Sequence, residues 1–494
     1  MNVIHPTWFH RSLAALILAV IMGPSGCATN PVTGKKQISL VSAGKELQMG
    51  AEADPAVIAE YGVDDDPAVQ RYVDGVGNRL GKVSHLPNLG WHFRVLDSPV
   101  VNAFAIPGGY IYITRGILAY MRSEAQLAGV MGHEIGHVTA RHSAQQITRQ
   151  QIAGIGVIAG AVFVPAFRPY SVIAQQGLGL LFLQYSRDNE TQADELGIEY
   201  AVKANYDPRQ VPATYATLKR IGEKVGSSLP SFLSTHPDPG DREIRTTQLS
   251  NAAASSAHRT LDINETEYRH VIEGLVYGDD PRAGYFVGNR FYHPQLKFQI
   301  IFPQGWQTAN QPSQVIALNQ SAGAAMQLTL VKTKDEESGF SPADYVAALQ
   351  RKGEIVRANG RSENFRDFPA WVGMITAQTE SGQKDLVAGW VRTRPGEFLQ
   401  VLGQAGSQNA ADQIFASIRS LAALTDPAKI NVTPDVIAIK PAPRTAPFSE
   451  IWAQIGGGAI GLEDAAILNS TRPATSIQAG TPVKTVTKGV RPQS

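Results

Sequence analysis

The segment MGHEIGHVTARH at residues 131–142 constrains this chain more than any other, because it combines three histidines with a glutamate. If the segment is helical, His133 and His137 are separated by about 400° of rotation, so both imidazoles leave the same face one turn apart. Two imidazoles at that spacing can bind one small cation. Glu134 is rotated by about 100° from His133, so its carboxylate can reach a metal-bound water without being a ligand.

The alternative interpretation is a helix that carries solvent-exposed histidines. Apolar residues lie almost all round this helix, which favours burial; they are Leu127, Val130, Met131, Ile135 and Val138. Buried histidines need partners, and a metal ion supplies one. We therefore predict a catalytic site with one Zn²⁺ per chain and with Glu134 as its general base.

A catalytic zinc generally has three protein ligands and one open position, so a third ligand must come from another element. A second helix is expected over residues 187–204, where Glu190 and Asp194 lie four residues apart and face the same way. One carboxylate can bind the metal and the other can orient a ligand imidazole. A solvated acidic face is the alternative, and the spacing alone does not separate Glu190 from Asp188.

The amino terminus has the layout of a secretory signal. An apolar run over residues 13–22 precedes Pro24, Ser25, Gly26 and Cys27, the only cysteine of the chain. The run is shorter than the ~20 residues that a membrane-spanning helix needs. A small residue directly before this cysteine resembles the lipobox of bacterial lipoproteins, although Pro24 stands where the lipobox usually has leucine. The resemblance implies a chain anchored through lipidated Cys27. An ordinary signal peptide with an incidental cysteine is the alternative.

Composition excludes little but is informative in two respects. The 44 basic and 43 acidic side chains leave a formal net charge of +1, and no basic stripe stands out, so we expect no nucleic-acid partner. A single cysteine excludes an intramolecular disulfide.

Hydrophobic periodicity and turn signals predict an α+β chain. Its first domain is expected to be mostly helical, with a small antiparallel sheet over 93–96, 101–106 and 110–114 and a helix from Ser123 through His142. The apolar stretch 152–183 is expected to form a helical hairpin that covers the active site or touches a membrane, or else two buried core helices. We divide the chain into a signal peptide (1–26), a tether (27–43), the domain that carries the zinc site (44–250), a linker with a connecting helix (251–284), a smaller α+β domain (285–425) and a Pro-rich linker with an irregular tail (426–494).

Four motifs in order resemble the HtpX/BepA-type gluzincin metallopeptidases, which include the CAAX prenyl protease. They are VNAFAIPGGYIYITRGIL, HEIGHVTARH, YSRDNETQAD and STHPDPGDRE, and the resemblance covers about residues 35–250. A lipobox followed by NPVTGKKQ resembles the periplasmic lipoprotein branch of the family. The later domain departs from that branch, whose carboxy-terminal part is a tetratricopeptide array, because this chain has no 34-residue repeat.

The resemblance implies a role for each matching residue. It implies the zinc ligands His133, His137 and Glu190, with Glu134 as the base. Asp194 and His142 would support the ligands. His236 would lie by the metal, where the matching histidine of relatives can occupy the open position.

The resemblance also implies how a substrate is held. Arg242 would lie near the reacting carbonyl. The segment Asn102, Ala103, Phe104 and Ala105 would form an edge strand that pairs with the substrate backbone.

The function implied is a zinc endopeptidase at the periplasmic face of the outer membrane, where it hydrolyses unfolded or misassembled envelope proteins. Two rivals remain. One is a chaperone whose proteolysis is silenced by His236 on the metal. The other is a peptidoglycan-associated assembly factor, because residues 465–486 resemble the second half of a LysM module, although a disordered tail explains the same composition.

Overall fold

A computed structural model describes residues 27–152, 185–225, 232, 236, 239–334, 337–379 and 382–490. The expected signal peptide (1–26) and nearly all of the apolar stretch 152–183 lie outside these residues. Within the described ranges, no helix is both long enough and apolar enough to cross a membrane. The mixture of helices with several small sheets confirms the α+β class.

The amino-terminal unit is mostly helical. Its helices are α1 Ala43–Tyr61, α2 Pro67–Val83, α3 Arg115–Tyr120, α4 Glu124–Thr139, α5 His142–Ile152, α6 Arg187–Lys203, α7 Val211–Val225, α8 Pro239–Ser256 and α9 Glu265–Ile272. The start of α2 shows why local sequence suffices for some of them. Asp66 Oδ1 accepts a hydrogen bond from the Ala68 amide at 2.7 Å, and Pro67 occupies the first helical position.

Helix α4 begins as expected, with the Ser123 side chain accepting a hydrogen bond from the Gln126 amide. It ends at Thr139 and not at His142, which corrects the expected boundary. Arg141 adopts a left-handed conformation with φ 58°, so the chain turns and a new helix starts at His142. As a result, His142 lies back against the last turn of α4.

A three-stranded sheet packs beside α4. Its strands are β3 His92–Leu96, β4 Ala103–Ile106 and β5 Tyr110–Thr114, in the order β3-β5-β4. Strand β4 is antiparallel to β5, but β3 is parallel to it, so the sheet is mixed and not antiparallel as expected. Gly108 and Gly109, with φ of 88° and 91°, form the turn between β4 and β5, a conformation that favours glycine.

Two segments expected to be connections belong to this unit. The expected tether contains a hairpin of β1 Cys27–Thr29 and β2 Lys36–Ile38. The side-chain Nδ2 of Asn30 donates a hydrogen bond to the Ala140 carbonyl at 3.1 Å. The expected linker is helical through Ser256. Beyond it, fully buried Tyr268 on α9 donates a hydrogen bond from its hydroxyl to the Leu118 carbonyl at 2.7 Å.

The middle unit contains two sheets. One has seven strands in the order β12-β13-β14-β15-β11-β10-β9, and the other has four in the order β16-β8-β7-β6. The strands are β6 Tyr285–Val287, β7 Arg290–His293, β8 Phe298–Ile301, β9 Gln307–Gln311, β10 Gln314–Asn319, β11 Ala324–Lys332, β12 Ile355–Phe365, β13 Phe368–Thr379, β14 Gly382–Arg394, β15 Glu397–Gln404 and β16 Ala422–Ala423. Helices α10 Pro342–Arg351 and α11 Gln408–Arg419 pack on opposite faces of the larger sheet.

The carboxy-terminal unit is regular, where an irregular tail was expected. After the short helix α12 Pro427–Ile430, strand β17 Val436–Pro441 pairs antiparallel with β20 Pro482–Thr487, and two helices lie between them in sequence, α13 Phe448–Gln454 and α14 Leu462–Leu468. The two-residue strands β18 Ala446–Pro447 and β19 Ser476–Ile477 also pair. Leu468 and Val486 share a hydrophobic cluster with residues of α4, so this unit packs on the amino-terminal one.

Candidate metal centre

The centre is built where α4 and α6 approach each other closely. Gly132 and Gly197 lie at the crossing: a Cβ on Gly132 would be 3.0 Å from the Gly197 carbonyl oxygen, and one on Gly197 would be 2.8 Å from the His133 amide nitrogen. Any larger side chain would push the helices apart. This contact brings the carboxylate of Glu190 on α6 to the histidine pair on α4.

Four buried side chains converge on one point. His133, His137, Glu190 and His236 each offer one donor atom, and these atoms all lie within 4.8 Å of one another. The Glu190 carboxylate is 3.5 Å from His133 Nε2 and 3.4 Å from His137 Nε2. Glu190 Oε1 is 2.9 Å from His236 Nδ1, and Glu190 Oε2 is 2.7 Å from Arg242 Nη1. Three imidazole nitrogens and one carboxylate oxygen form a donor set that suits a transition metal ion.

The structure distinguishes the acids that spacing left open. Glu190 is 2% exposed and points into the cluster, whereas Asp188 is exposed on the outer side of α6. Asp194 lies behind the cluster, with Oδ1 3.0 Å from His133 Nδ1. Burial raises the pKa of Asp194, but Arg242 and His133 outweigh it and hold that pKa below its ordinary value. Asp194 is therefore ionised and can accept the His133 Nδ1 proton, which leaves Nε2 facing the cluster.

A second chain of contacts fixes His137. His137 Nδ1 is 3.0 Å from His142 Nδ1, and His142 Nε2 is 3.0 Å from the Gln192 side-chain oxygen. Burial lowers the pKa of His142 to about 4, so this ring is neutral at pH 7. Because an amide oxygen only accepts, the His142 proton lies on Nε2. His142 Nδ1 then accepts from His137, and His137 Nε2 presents its lone pair to the cluster.

Arg242 lies against the carboxylates. Nη1 is 2.7 Å from Glu190 Oε2, and Nη2 is 2.6 Å from Asp194 Oδ1. The same Nη2 donates to the Tyr215 hydroxyl at 2.6 Å, and Arg242 is 2% exposed. In this arrangement the arginine balances two buried negative charges. A role at the reacting carbonyl, implied by the resemblance, remains a prediction.

Glu134 lies beside the candidate ligands and is not one of them. It is fully buried, and neither carboxylate oxygen hydrogen-bonds to a side chain among the described residues. His236 Nε2 lies 3.6 Å from Glu134 Oε1. Burial raises the pKa of Glu134 to about 7, although the charge of His236 opposes the rise. A carboxyl group with that pKa can both take and return a proton near neutral pH.

The expected substrate strand is at the edge of its sheet. Ala103, Phe104 and Ala105 belong to β4, which pairs with β5 on one side only, and Asn102 directly precedes it. All four side chains are buried, and Asn102 Oδ1 has no hydrogen-bond partner in the described part of the chain. The position agrees with β-strand pairing as a mode of peptide binding, which stays a prediction.

Three aromatic residues at the centre were missed from the sequence. The Tyr185 ring stacks on His137 with centroids 3.9 Å apart, and the Phe232 ring stacks on His236 at 4.7 Å. Tyr215 donates from its hydroxyl to Asp194 Oδ1 at 2.7 Å. Tyr185 begins the YSRDNETQAD motif, where no role was assigned to it, and Phe232 and Tyr215 lie outside the motifs, so no spacing rule connects these residues with the histidines.

Two histidines one turn apart, a carboxylate from a second helix and a buried glutamate beside them define a metallopeptidase of the HExxH type. Comparison with known proteins agrees with this class. Residues 67–248 match the model of peptidase family M48. The chain therefore carries a peptidase family M48 domain, which confirms the resemblance drawn from the motifs.

The relatives are proteases of mitochondria and bacteria. The mitochondrial metalloendopeptidase OMA1 of Arabidopsis thaliana is 34% identical over 198 residues, which are 39% of this chain and 39% of the relative. OMA1 of Schizosaccharomyces pombe is 32% identical over 215 residues, 43% of this chain and 63% of the relative. The beta-barrel assembly-enhancing protease of Escherichia coli is 29% identical over 249 residues, 47% of this chain and 50% of the relative. The chain thus spans about half the length of these proteins.

One solved structure, cyanobacterial PsbP from Synechocystis, covers 28% of the chain at 10% identity. Its TM-score of 0.21 is too low for a conclusion about the fold.

Proposed function

We propose that this protein is a zinc-dependent endopeptidase, anchored at the periplasmic face of the outer membrane, that hydrolyses unfolded or misassembled envelope proteins. The observation that carries the proposal is the convergence of His133, His137 and Glu190 beside a buried glutamate that is not a ligand. The name of the Escherichia coli relative, a beta-barrel assembly-enhancing protease, supports the choice of substrate.

His133, His137 and Glu190 would hold the ion. When bound, zinc would polarise a peptide carbonyl and would make a water molecule acidic enough to lose a proton near pH 7. Glu134 accepts that proton on its carboxylate and later delivers it to the leaving amine. Asp194 and His142 keep the two imidazoles in the tautomers that the site needs, and Arg242 balances the charge of the carboxylates behind them.

Substitution of the base tests the hydrolase. Glu134→Gln keeps the shape of the side chain but cannot take a proton, so we expect casein hydrolysis to fall about 10²–10⁴-fold while metal content per chain, measured by plasma mass spectrometry, is unchanged. Glu199→Gln, at an exposed glutamate on α6 that pairs with Lys203, is the matched control and should keep full activity. Full activity in Glu134→Gln, or a purified protein without stoichiometric metal, would contradict the proposal.

The anchor is tested separately. Cys27 follows a small residue and an apolar run, which supports lipidation at this position. We expect Cys27→Ala to move the protein from the membrane fraction to the soluble periplasmic fraction. Equal membrane association of both forms would rule out a lipid anchor on Cys27 while leaving the peptidase proposal intact.

A protease-silenced form is the second candidate, and one observation favours it. His236 Nδ1 lies 2.9 Å from Glu190 Oε1 and 3.3 Å from His133 Nε2, so this imidazole is close enough to serve as a fourth ligand, which would leave no open position for water. If His236 silences the protein, His236→Ala should hydrolyse casein faster than the parent. A slower rate would instead support a part for His236 in the reaction.

Peptidoglycan as a partner is a further proposal, supported by the strand–helix–helix–strand order of residues 436–487. Sedimentation of the full-length protein with purified murein sacculi tests it. Recovery of all the protein in the supernatant would contradict it.

A further inference from the structure

A cavity of about 220 Å³ lies where the carboxy-terminal unit meets the amino-terminal one. Arg122, which follows α3, and Arg269 on α9 line it from one side. Lys484 on β20 and the segment between α14 and β20 line it from the other side. None of the residues that line the cavity is a candidate ligand of the metal centre, and the proposed peptidase reaction makes no use of it.

The charges around this cavity do not balance. Arg269 Nη2 pairs with Glu265 Oε2, and Arg122 Nη2 is 3.9 Å from the other oxygen of the same carboxylate. Lys484 adds a third basic group and is 4% exposed. Its Nζ donates to the Ala119 carbonyl at 2.6 Å and to the Met121 carbonyl at 3.0 Å. Two guanidinium groups therefore face one carboxylate beside a buried lysine, and a bound anion would favour the protonated form of that lysine.

Hydrogen-bond donors in the cavity also lack partners. The Arg122 guanidinium makes no hydrogen bond to the described residues and is 41% exposed, so it can pair with a ligand. When protonated, Lys484 has one N–H beyond the two that are used. The hydroxyl oxygen of Thr471 is buried without a partner in the described part of the chain. Buried polar groups are normally satisfied, so the Thr471 hydroxyl indicates a missing polar ligand.

The backbone of the same segment is strained. Ser470 has φ 50°, a conformation that non-glycine residues rarely adopt. Asn469 pins the segment to β20, since its side chain donates to the Lys484 carbonyl at 2.9 Å and accepts from the Lys484 amide at 2.8 Å. The donors are therefore held in place before any ligand arrives, which lowers the entropy cost of binding.

The apolar residues of the lining decide which class of anion fits the cavity best. Phe448, Ile477, Pro482 and Val483 give the cavity an apolar side. A bare phosphate would leave that wall in contact with water, whereas a carboxylate on a short hydrocarbon body would cover it. Planar guanidinium groups also match the two oxygens of a carboxylate.

We propose that this cavity binds a small organic carboxylate, with its anionic group facing Arg122, Arg269 and Lys484 and its hydrocarbon part facing Phe448 and Val483. The inference does not depend on the metal centre. It makes the junction of the two units a ligand site and not only a packing surface.

Isothermal titration of the full-length protein tests this assignment. The probes are N-acetyl-alanyl-alanine with a free terminal carboxylate, the same peptide as its terminal amide, and inorganic phosphate. We expect the acid to bind at least tenfold more tightly than the amide or phosphate. Binding should weaken as salt is added, because charges attract the ligand. Equal binding of acid and amide, tighter binding of phosphate, or no heat with any probe would overturn the proposal.

Variants of the cavity residues test where the carboxylate ligand binds. Arg122→Gln and Arg269→Gln should each weaken binding of the acid at least tenfold, whereas Arg361→Gln, at a 76% exposed arginine of the middle unit, should not change it. An acid that bound at the metal centre would bind the two cavity variants unchanged, and that result would overturn the site. Thermal unfolding and casein hydrolysis of each variant show whether it is folded, so a loss of binding with both intact is a loss of the ligand site.

Discussion

The amino-terminal and middle units differ most in what they bury. In the described part of the middle unit one ionisable side chain, Glu337, is buried, and the two cores are otherwise aromatic and aliphatic with a few neutral polar groups. The amino-terminal unit buries many. They are Glu46, Asp54, Arg115, Glu124, His133, Glu134, His137, Arg141, His142, Glu190, Asp194, Asp207, His236 and Arg242.

Burying an ionisable group costs free energy unless opposite charges and hydrogen bonds compensate it. A unit that retains so many buried ionisable groups has a use for them, and here eight of the fourteen gather around the candidate metal centre. The candidate metal centre thus lies in the amino-terminal unit, whereas the largest β-sheet lies in the middle unit. Variants in each should therefore separate loss of activity from loss of stability.

The largest effect on activity is expected at Glu190, whose carboxylate reaches from α6 to the histidines of α4. Glu190→Gln keeps the volume but removes the negative charge that faces both histidines, so the protein should lose its metal and casein hydrolysis should fall below detection. Metal content and hydrolysis are measured on the same sample. Retention of one metal ion per chain would show that His133, His137 and His236 suffice as ligands.

The next effect is at the acid behind the ligands. Asp194→Ala removes the partner of His133 and Arg242 and leaves buried charge without compensation, so we expect a loss of about 3–5 kcal/mol in the free energy of unfolding together with a loss of activity. Urea unfolding gives the first quantity and casein hydrolysis the second. A stable, active variant would break the link between buried charge and chemistry.

The matching change in the middle unit should cost stability alone. Phe398 on β15 is fully buried and stacks on Tyr345 with ring centroids 4.8 Å apart. Phe398→Ala leaves a cavity that costs about 3–5 kcal/mol, but casein hydrolysis at a temperature where the protein is folded should stay within about twofold of the parent, since no group of the metal centre is altered. A large drop in hydrolysis would show that the middle unit takes part in the reaction.

The local half of this arrangement could be predicted from sequence. The spacing of His133 and His137 on one helix, the Asp66–Pro67 start of α2 and the strands around the Pro-Gly-Gly turn depend on residues close together in the chain. Short-range geometry fixes them, so one sequence is enough.

The remainder depends on contacts between distant elements. Helix α4 ends early because Arg141 is held in its left-handed conformation by Glu46 and the Val41 carbonyl, with hydrogen bonds of 2.7 Å and 2.8 Å. Those partners lie about 100 positions away in the sequence, so no local sequence pattern predicts the end of α4 at Thr139. The regular fold of the carboxy-terminal unit was hidden for a similar reason, because its short helices gain stability from packing and not from their own propensity.

A smaller effect is expected at Gln192, which touches neither the metal ligands nor Glu134. Gln192→Ala removes the acceptor that fixes the His142 tautomer, and through it the orientation of His137. Loss of such an outer partner generally costs 10–100-fold in metal affinity, and we expect a loss of about that size, measured by competition with a chelator. Unchanged affinity would show that His142 alone orients the ligand. Gln210→Ala, outside this contact chain, is the control.

The smallest effect extends the comparison to the carboxy-terminal unit, whose buried cation faces the amino-terminal one. Burial and the nearby Arg122 and Arg269 lower the pKa of Lys484 well below 10.5 in the folded protein. Between that lowered pKa and about 10.5 the unfolded chain holds the proton and the folded chain does not, so the free energy of unfolding must rise with pH, by at most about 1.4 kcal/mol per pH unit. Lys484→Met should remove this part of the slope, and Lys219→Met, at an exposed lysine of α7, should keep it. Urea unfolding between pH 7 and pH 10 measures the difference, and equal slopes for the parent and Lys484→Met would mean that the two carbonyl acceptors keep Lys484 charged despite its burial.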